Sequence, residues 1–210
     1  MEGIHIIQRS ELLQKAFAYI VDNSTSNYLP YHNLNHLLTV LKYVDYLAHE
    51  EGIYFDKRMP LHIAALFHDV NHSGGKLTDN ENIINALDAF EKFHAWLPYT
   101  MTTEEICSIR DNIRATQFPY VQANSNITHQ QKIMRDADMM QQFEYNWINQ
   151  TTLGLAMESG TDIRKFIHNQ RHFLESTIFL TPSANQFKTC NWARMMDEFR
   201  ILEVSLSVNI

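Results

Sequence analysis

The sequence predicts an all-α protein folded as a single domain. Three observations carry this. Glycine (6) and proline (5) are scarce among 210 residues. No strand-like alternation bounded by turn residues persists along the chain. Ser or Thr followed three residues later by Glu or Gln, the capping-box mark of a helix start, recurs ahead of apolar-periodic runs. A domain of this length buries about 70% of its unfolded surface and needs no cross-links to fold.

Taken in order, residues 10–22 open with Ser10 as a cap and place Leu12, Leu13, Ala16, Phe17 and Ile20 on one helical face. A polar stretch from Asn23 to Asn27 follows. The next helix runs from about Asn33 to Glu51, with Leu37, Val40, Leu41, Val44 and Leu47 apolar, and Gly52 stops it. Pro60 suits the first turn of a third helix, which carries Leu61, Ala64, Ala65 and Phe67 and ends before Gly74-Gly75. Capping boxes open helices at Thr78…Glu81, running to about His94, at Thr102…Glu105, to about Thr116, and at Thr128…Gln131, through Asp138. The stretch from Glu144 to Phe179 reads as two helices split near Gly160. Ser183…Gln186 opens the last helix, after the break at Thr181-Pro182. Pro, Asn and Ser crowd Phe118–Asn126, the expected mobile flap.

Composition narrows the function. Hydrophobic residues make up 45% and charged residues 20%, which excludes a disordered chain. With 17 Lys+Arg against 24 Asp+Glu the net charge is −7, which argues against a basic face for duplex nucleic acid. Cys107 and Cys190 make no disulfide framework and fit a reducing compartment. The N-terminal MEGIHIIQRS lacks the basic-then-apolar pattern of a signal peptide, and the longest apolar runs fall far short of the ~20 residues of a membrane span. A soluble, cytoplasmic protein is expected, and a homodimer is left open.

Eleven histidines stand out, and some of them cluster. Three groups matter: Tyr31-His32-Asn33-Leu34-Asn35-His36, His68-Asp69-Val70-Asn71-His72 and Asp136-Ala137-Asp138. His68 and Asp69 close an apolar helix, where an imidazole beside a carboxylate is costly unless something compensates both. A divalent metal does so, since it binds neutral imidazole and ionised carboxylate together. If that helix continues, His72 faces the same side as His68. His32 and His36 share the same helical spacing. Asp138 lies among Ile133, Met134, Met139 and Met140, so an acid in an apolar setting needs a partner. Other features have plainer readings. Glu81 is explained by its capping box, Asp136 by capping or by pairing with Arg135, and Met139 and Met140 by the core. His5, His49, His62, His94, His129, His168 and His172 read as structural or surface residues.

The order His36, His68-Asp69, Asp138 resembles the HD superfamily of metal-dependent phosphohydrolases, which are all-helical. Tyr31-His32-Asn33-x-x-His36 is similar to the YHNxxH signature of class I cyclic-nucleotide phosphodiesterases. Phe67-His68-Asp69-Val70-Asn71-His72-Ser73-Gly74 is similar to their HDxxHxG segment. Ile113-Arg114-Ala115-Thr116-Gln117 resembles their ATD-like helix end, and Ala137-Asp138-Met139 their final aspartate. A smaller branch of predicted HD hydrolases also fits, with an acidic segment like Asp79-Asn80-Glu81. The resemblance covers about residues 28–140, leaving C-terminal helices over 141–210. Ser73 replaces the usual proline, Leu77 or Asn80 stands for an asparagine, and Gln117 takes the place of an aspartate. Gln170 and Gln186 match the purine-clamping glutamine by residue type alone.

The resemblance implies a first metal on His36, His68, Asp69 and Asp138, for which Zn, Mn, Fe, Ni or Co suits the mixed nitrogen–oxygen set. It implies a second ion, Mg or Mn, reached by Asp69. His32 becomes the general acid. His72 assists the chemistry, and with Asp136 it orients water or ligand imidazoles. Tyr31, Lys76, Glu81 and Gln117 lie near the substrate. The expected substrate is a small, nucleotide-like phosphate ester, a cyclic nucleotide foremost. A nucleotidase or pyrophosphohydrolase is the near alternative. A di-iron HD-fold oxygenase and a metal-stabilised binding module are alternatives of other classes.

Overall fold

The computed structural model describes residues 2–120 and 126–207. Among these residues the chain is a bundle of ten α-helices without strands: α1 (Glu2–Ile7), α2 (Glu11–Asn23), α3 (Leu34–Glu50), α4 (Met59–Phe67), α5 (Asp79–Trp96), α6 (Thr103–Ala115), α7 (His129–Met140), α8 (Leu153–Ser159), α9 (Ile163–Ser176) and α10 (Pro182–Ser207). No helix among them is long and apolar enough to cross a membrane.

α4 is the axis of the bundle. Its residues Leu61 to Phe67 are all buried, because MPLHIAALF offers no polar face to turn toward water. α3 and α6 flank α4, α7 closes against both of them, and α2 covers one end. Phe67, Phe90 and Phe93 fill the centre, with the Phe67 and Phe93 rings 5.1 Å apart. α3 and α4 are also pinned by a polar cluster. Asp45 accepts from His62 at 3.1 Å and from Arg58 at 3.3 Å. This is the structural duty of the buried His62.

The helix starts at Thr78, Thr102 and Thr128 form as complete capping boxes, each with both reciprocal bonds. Gly160 ends α8 in the left-handed region, φ 62°, and separates it from α9 as expected. Three expectations need correction. Residues 2–7 form a helix that the pattern did not announce. It lies so close on α3 that a Cβ on Gly3 would sit 2.4 Å from the Leu38 carbonyl oxygen. The last helix starts at Pro182, not at Ser183, and its cap is Thr181, whose Oγ1 accepts from Ala184 N at 3.3 Å. Finally, α4 stops at Phe67, so His72 reaches its place through turns rather than along a continued helix. Asn71 takes the positive φ (63°) that this reversal requires, and its Oδ1 accepts from Thr25 N at 2.8 Å. Part of the expected flap, residues 121–125, lies outside the described residues.

Candidate metal centre

Each cluster is positioned by local chemistry. Asn33 caps α3, its Oδ1 accepting from Asn35 N at 2.8 Å and His36 N at 3.3 Å. Its Nδ2 donates to Leu29 O at 2.7 Å, which fixes the approach of the preceding segment. His36 therefore emerges in the first turn of α3. His68 and Asp69 follow the last turn of α4. Asp138 projects from α7.

These side chains converge. His36 Nε2 lies 3.1 Å from Asp69 Oδ2, 3.2 Å from His68 Nε2 and 3.4 Å from Asp138 Oδ1. His68 Nε2 lies 3.2 Å from Asp69 Oδ2 and 3.4 Å from Asp138 Oδ1. An ion with bonds of roughly 2.0–2.2 Å spaces its ligand atoms about 2.9–3.5 Å apart in tetrahedral or octahedral geometry. The five distances above have that spacing, and all four atoms lie within 4.8 Å of one another. Both imidazoles are 1% exposed and hold Nδ1 to a neutral acceptor, His36 to Gln141 Oε1 at 2.9 Å and His68 to Ala65 O at 2.9 Å. This turns both Nε2 atoms inward, as in metal-binding histidines whose other ring nitrogen is held by a carbonyl or carboxamide. Two buried lone pairs facing two carboxylates need a positive centre among them, so the donor set fits a divalent cation.

The electrostatics point the same way. Burial alone would lower the His36 imidazole, but hydrogen bonds that it donates to the Asp138 and Asp69 carboxylates raise it to about 9. Burial alone would raise Asp138, but His36 and His68 hold it down at about 2. Asp69 is likewise driven well below the ordinary carboxylate range against its burial, by the charge of His68 and by both imidazole hydrogen bonds. The carboxylates that stabilise positive charge on these rings are those that would stabilise a cation.

A second group adjoins the first. Glu158 of α8 accepts from Tyr31 N at 2.6 Å and His32 N at 2.7 Å through Oε1, and meets His32 Nδ1 at 2.6 Å through Oε2. His32 Nε2 then faces the centre, 3.9 Å from Asp69 Oδ2. α8 comes this close because it carries Gly154, where a Cβ would lie 3.1 Å from Pro30 O. The His72 ring stacks on His32 with centroids 3.6 Å apart. Its Nδ1 accepts from Gly74 N at 3.1 Å and its Nε2 faces the Asn82 amide at 3.0 Å. Burial holds His72 down at about 4, so it is a neutral ring near pH 7. The trio His32, His72 and Glu158 is a second group that could hold a metal ion, although His32 Nδ1 and both His72 nitrogens already have polar partners.

The remaining sequence candidates separate. Tyr31 is buried with its ring 4.6 Å from that of His36. Asp136 points away from the centre and accepts from Leu180 N, Thr181 N and Thr181 Oγ1 at 2.7–3.0 Å, so it anchors the entry to α10 rather than orienting a ligand imidazole. Glu81 completes its capping box, Lys76 is exposed, and Gln117 lines a separate cavity with Arg114 and Ile83. Gln170 is buried and donates to Gln142 at 3.0 Å, while Gln186 is exposed. Neither lines the apolar cavity of about 300 Å³ beside α7, which is walled by Phe118, Tyr120, Met139, Phe173, Phe179 and Leu180. Arg135 and Asp136 also line this cavity, and none of His32, His36, His68, Asp69, His72, Asp138 and Glu158 does. Phe118 N donates to Asp79 at 2.6 Å, and Asp79 in turn feels Asp69 and Asp138. Sequence reasoning missed Glu158, Gln141 and Asn82, none of which sits in a spaced motif.

No family model matches the chain, and no curated protein matches it. Among solved structures it is similar to the Lin1889 protein of Listeria innocua, with a TM-score of 0.59, 20% identity and 99% of each chain covered. At that identity the likeness speaks for the all-helical fold over the whole length.

Proposed function

We propose that this protein is an HD-type, divalent-metal-dependent phosphohydrolase that cleaves a small nucleotide-like phosphate ester, a cyclic nucleotide foremost. One observation carries the reading: two inward-facing imidazoles and two carboxylates converge beside a histidine held by a buried glutamate. His36, His68, Asp69 and Asp138 would hold the first ion, and Asp69 would reach a second, Mg or Mn. Ions bound there would supply Lewis acidity and water acidic enough to act as hydroxide near neutral pH. The protein's own groups do the rest. His32 donates the Nε2 proton to the leaving oxygen, and Glu158 keeps the ring oriented through Nδ1. Neutral His72 packs against His32 and shields it from water.

The oxygenase alternative would need further histidines on a second iron: His62 is bonded to Asp45 and His94 stacks on Phe90, which leaves only His32 and His72 beside the centre. The test is metal analysis followed by incubation with Mn²⁺ or Mg²⁺ and a panel of phosphate esters. The panel holds bis-p-nitrophenyl phosphate, cyclic AMP, cyclic GMP, 5′-nucleotides and nucleoside triphosphates. Metal-dependent phosphate-ester cleavage that disappears in His32→Ala and Asp69→Ala is the expected outcome. Oxygen uptake with two irons per chain and no cleavage would overturn it.

A further inference from the structure

His36 can bind a metal through Nε2 only as the tautomer with its proton on Nδ1. His68 gets that tautomer from a backbone carbonyl, which can only accept. His36 instead faces a carboxamide, Gln141, which can present either an oxygen or an amino group. The orientation of Gln141 therefore decides whether His36 is a ligand. Gln141 is 1% exposed, and its amino group donates to Gln150 Oε1 at 3.4 Å. That bond holds the amino group away from His36 and leaves the oxygen to receive the Nδ1 proton.

Gln150 sits in an unusual place. Residues Ile148–Thr152 form a π-turn, a geometry less favourable than an α-helix and one that recurs at functional sites. In the same turn Thr151 and Thr152 are fully buried and their hydroxyls have no hydrogen-bond partner. Each such hydroxyl is destabilising, so the local conformation is maintained for some other reason. Regular α-helix through these residues would turn Gln150 to another face.

We infer that Gln150 is a positioning residue that acts through Gln141 to hold His36 in its metal-accepting tautomer. This rests on the metal-centre reading above. The test measures Mn²⁺ affinity by calorimetry in the full chain for Gln141→Met, Gln150→Met and the double variant, beside the melting temperature of each metal-free protein. Imidazole ¹⁵N shifts report the His36 tautomer. Each single variant is expected to weaken Mn²⁺ binding about 10–100-fold, as when other groups that orient a metal-binding histidine are removed. The double variant should be no weaker than Gln141→Met, because both residues act along one chain. Gln150→Glu keeps the acceptor and should restore the parent tautomer. Unchanged affinity and tautomer in Gln150→Met, or losses that simply add, would overturn the relay alone. A parent protein that binds no divalent ion would overturn the metal centre and the relay together.

Discussion

Glu158 uses both carboxylate oxygens on the segment that begins the first histidine cluster. Burial pushes its carboxyl up, but the bond and charge of His32, together with two backbone amides, bring it below the ordinary range. Its stabilising effect is therefore present above about pH 4.5, the usual glutamate value, and is lost as pH falls through the lowered one. Glu158→Gln retains an oxygen for the amides but turns an amino group toward His32 Nδ1. We expect kcat to fall about 10²–10³-fold with KM and metal content little changed, checked by steady-state kinetics and metal analysis. Nothing in the local sequence marks Glu158. In LGLAMESG it reads as an exposed helical acid before a glycine stop, and only the tertiary approach of α8 gives it a histidine. By contrast His36, His68, Asp69 and Asp138 were legible, because their residue types are costly in apolar helices without a shared partner.

At the scale of elements, the site depends on how closely helices meet. Gly154→Ala would place a methyl group 3.1 Å from Pro30 O and 3.2 Å from Tyr31 Cβ, so α8 must move outward. A loss of roughly 1–3 kcal/mol is expected, with kcat falling more than metal affinity, since α8 carries Glu158 and none of the four ligands. The α3–α4 pin makes a separate prediction. The His62 hydrogen bond lowers the Asp45 carboxyl despite its partial burial, helped by Arg58. Asp45→Asn should cost roughly 1–3 kcal/mol at pH 7 by urea unfolding. Because the native value lies below the usual one, the parent's advantage is full above about pH 3.8 and should shrink as pH falls below it. Helix starts were readable at the three Thr capping boxes, whereas Ser183…Gln186 misplaced the last start because Thr181 caps it ahead of Pro182. The 141–152 stretch was not readable, because a 3-10 turn followed by a π-turn leaves no single period to detect.

For the whole molecule, the four candidate ligands come from α3, from the end of the central α4 and from α7, which packs on α3. Binding an ion there ties together the elements whose packing is the fold. Mn²⁺ at a hundred times its Kd should stabilise by about 2.7 kcal/mol. For a chain of this size that raises Tm by roughly 5–10 °C, and EDTA should reverse it in a thermal scan. His36→Ala should abolish the shift without preventing helix formation by circular dichroism.

The wide separation of Glu158 from His32 along the chain also has a consequence for biosynthesis. A ribosome makes His36, His68, Asp69 and Asp138 before it makes Glu158. At 5–20 residues per second, the last ligand precedes the glutamate by roughly one to four seconds. On the function proposed above, a nascent chain thus holds all four candidate ligands before it holds the glutamate that orients His32.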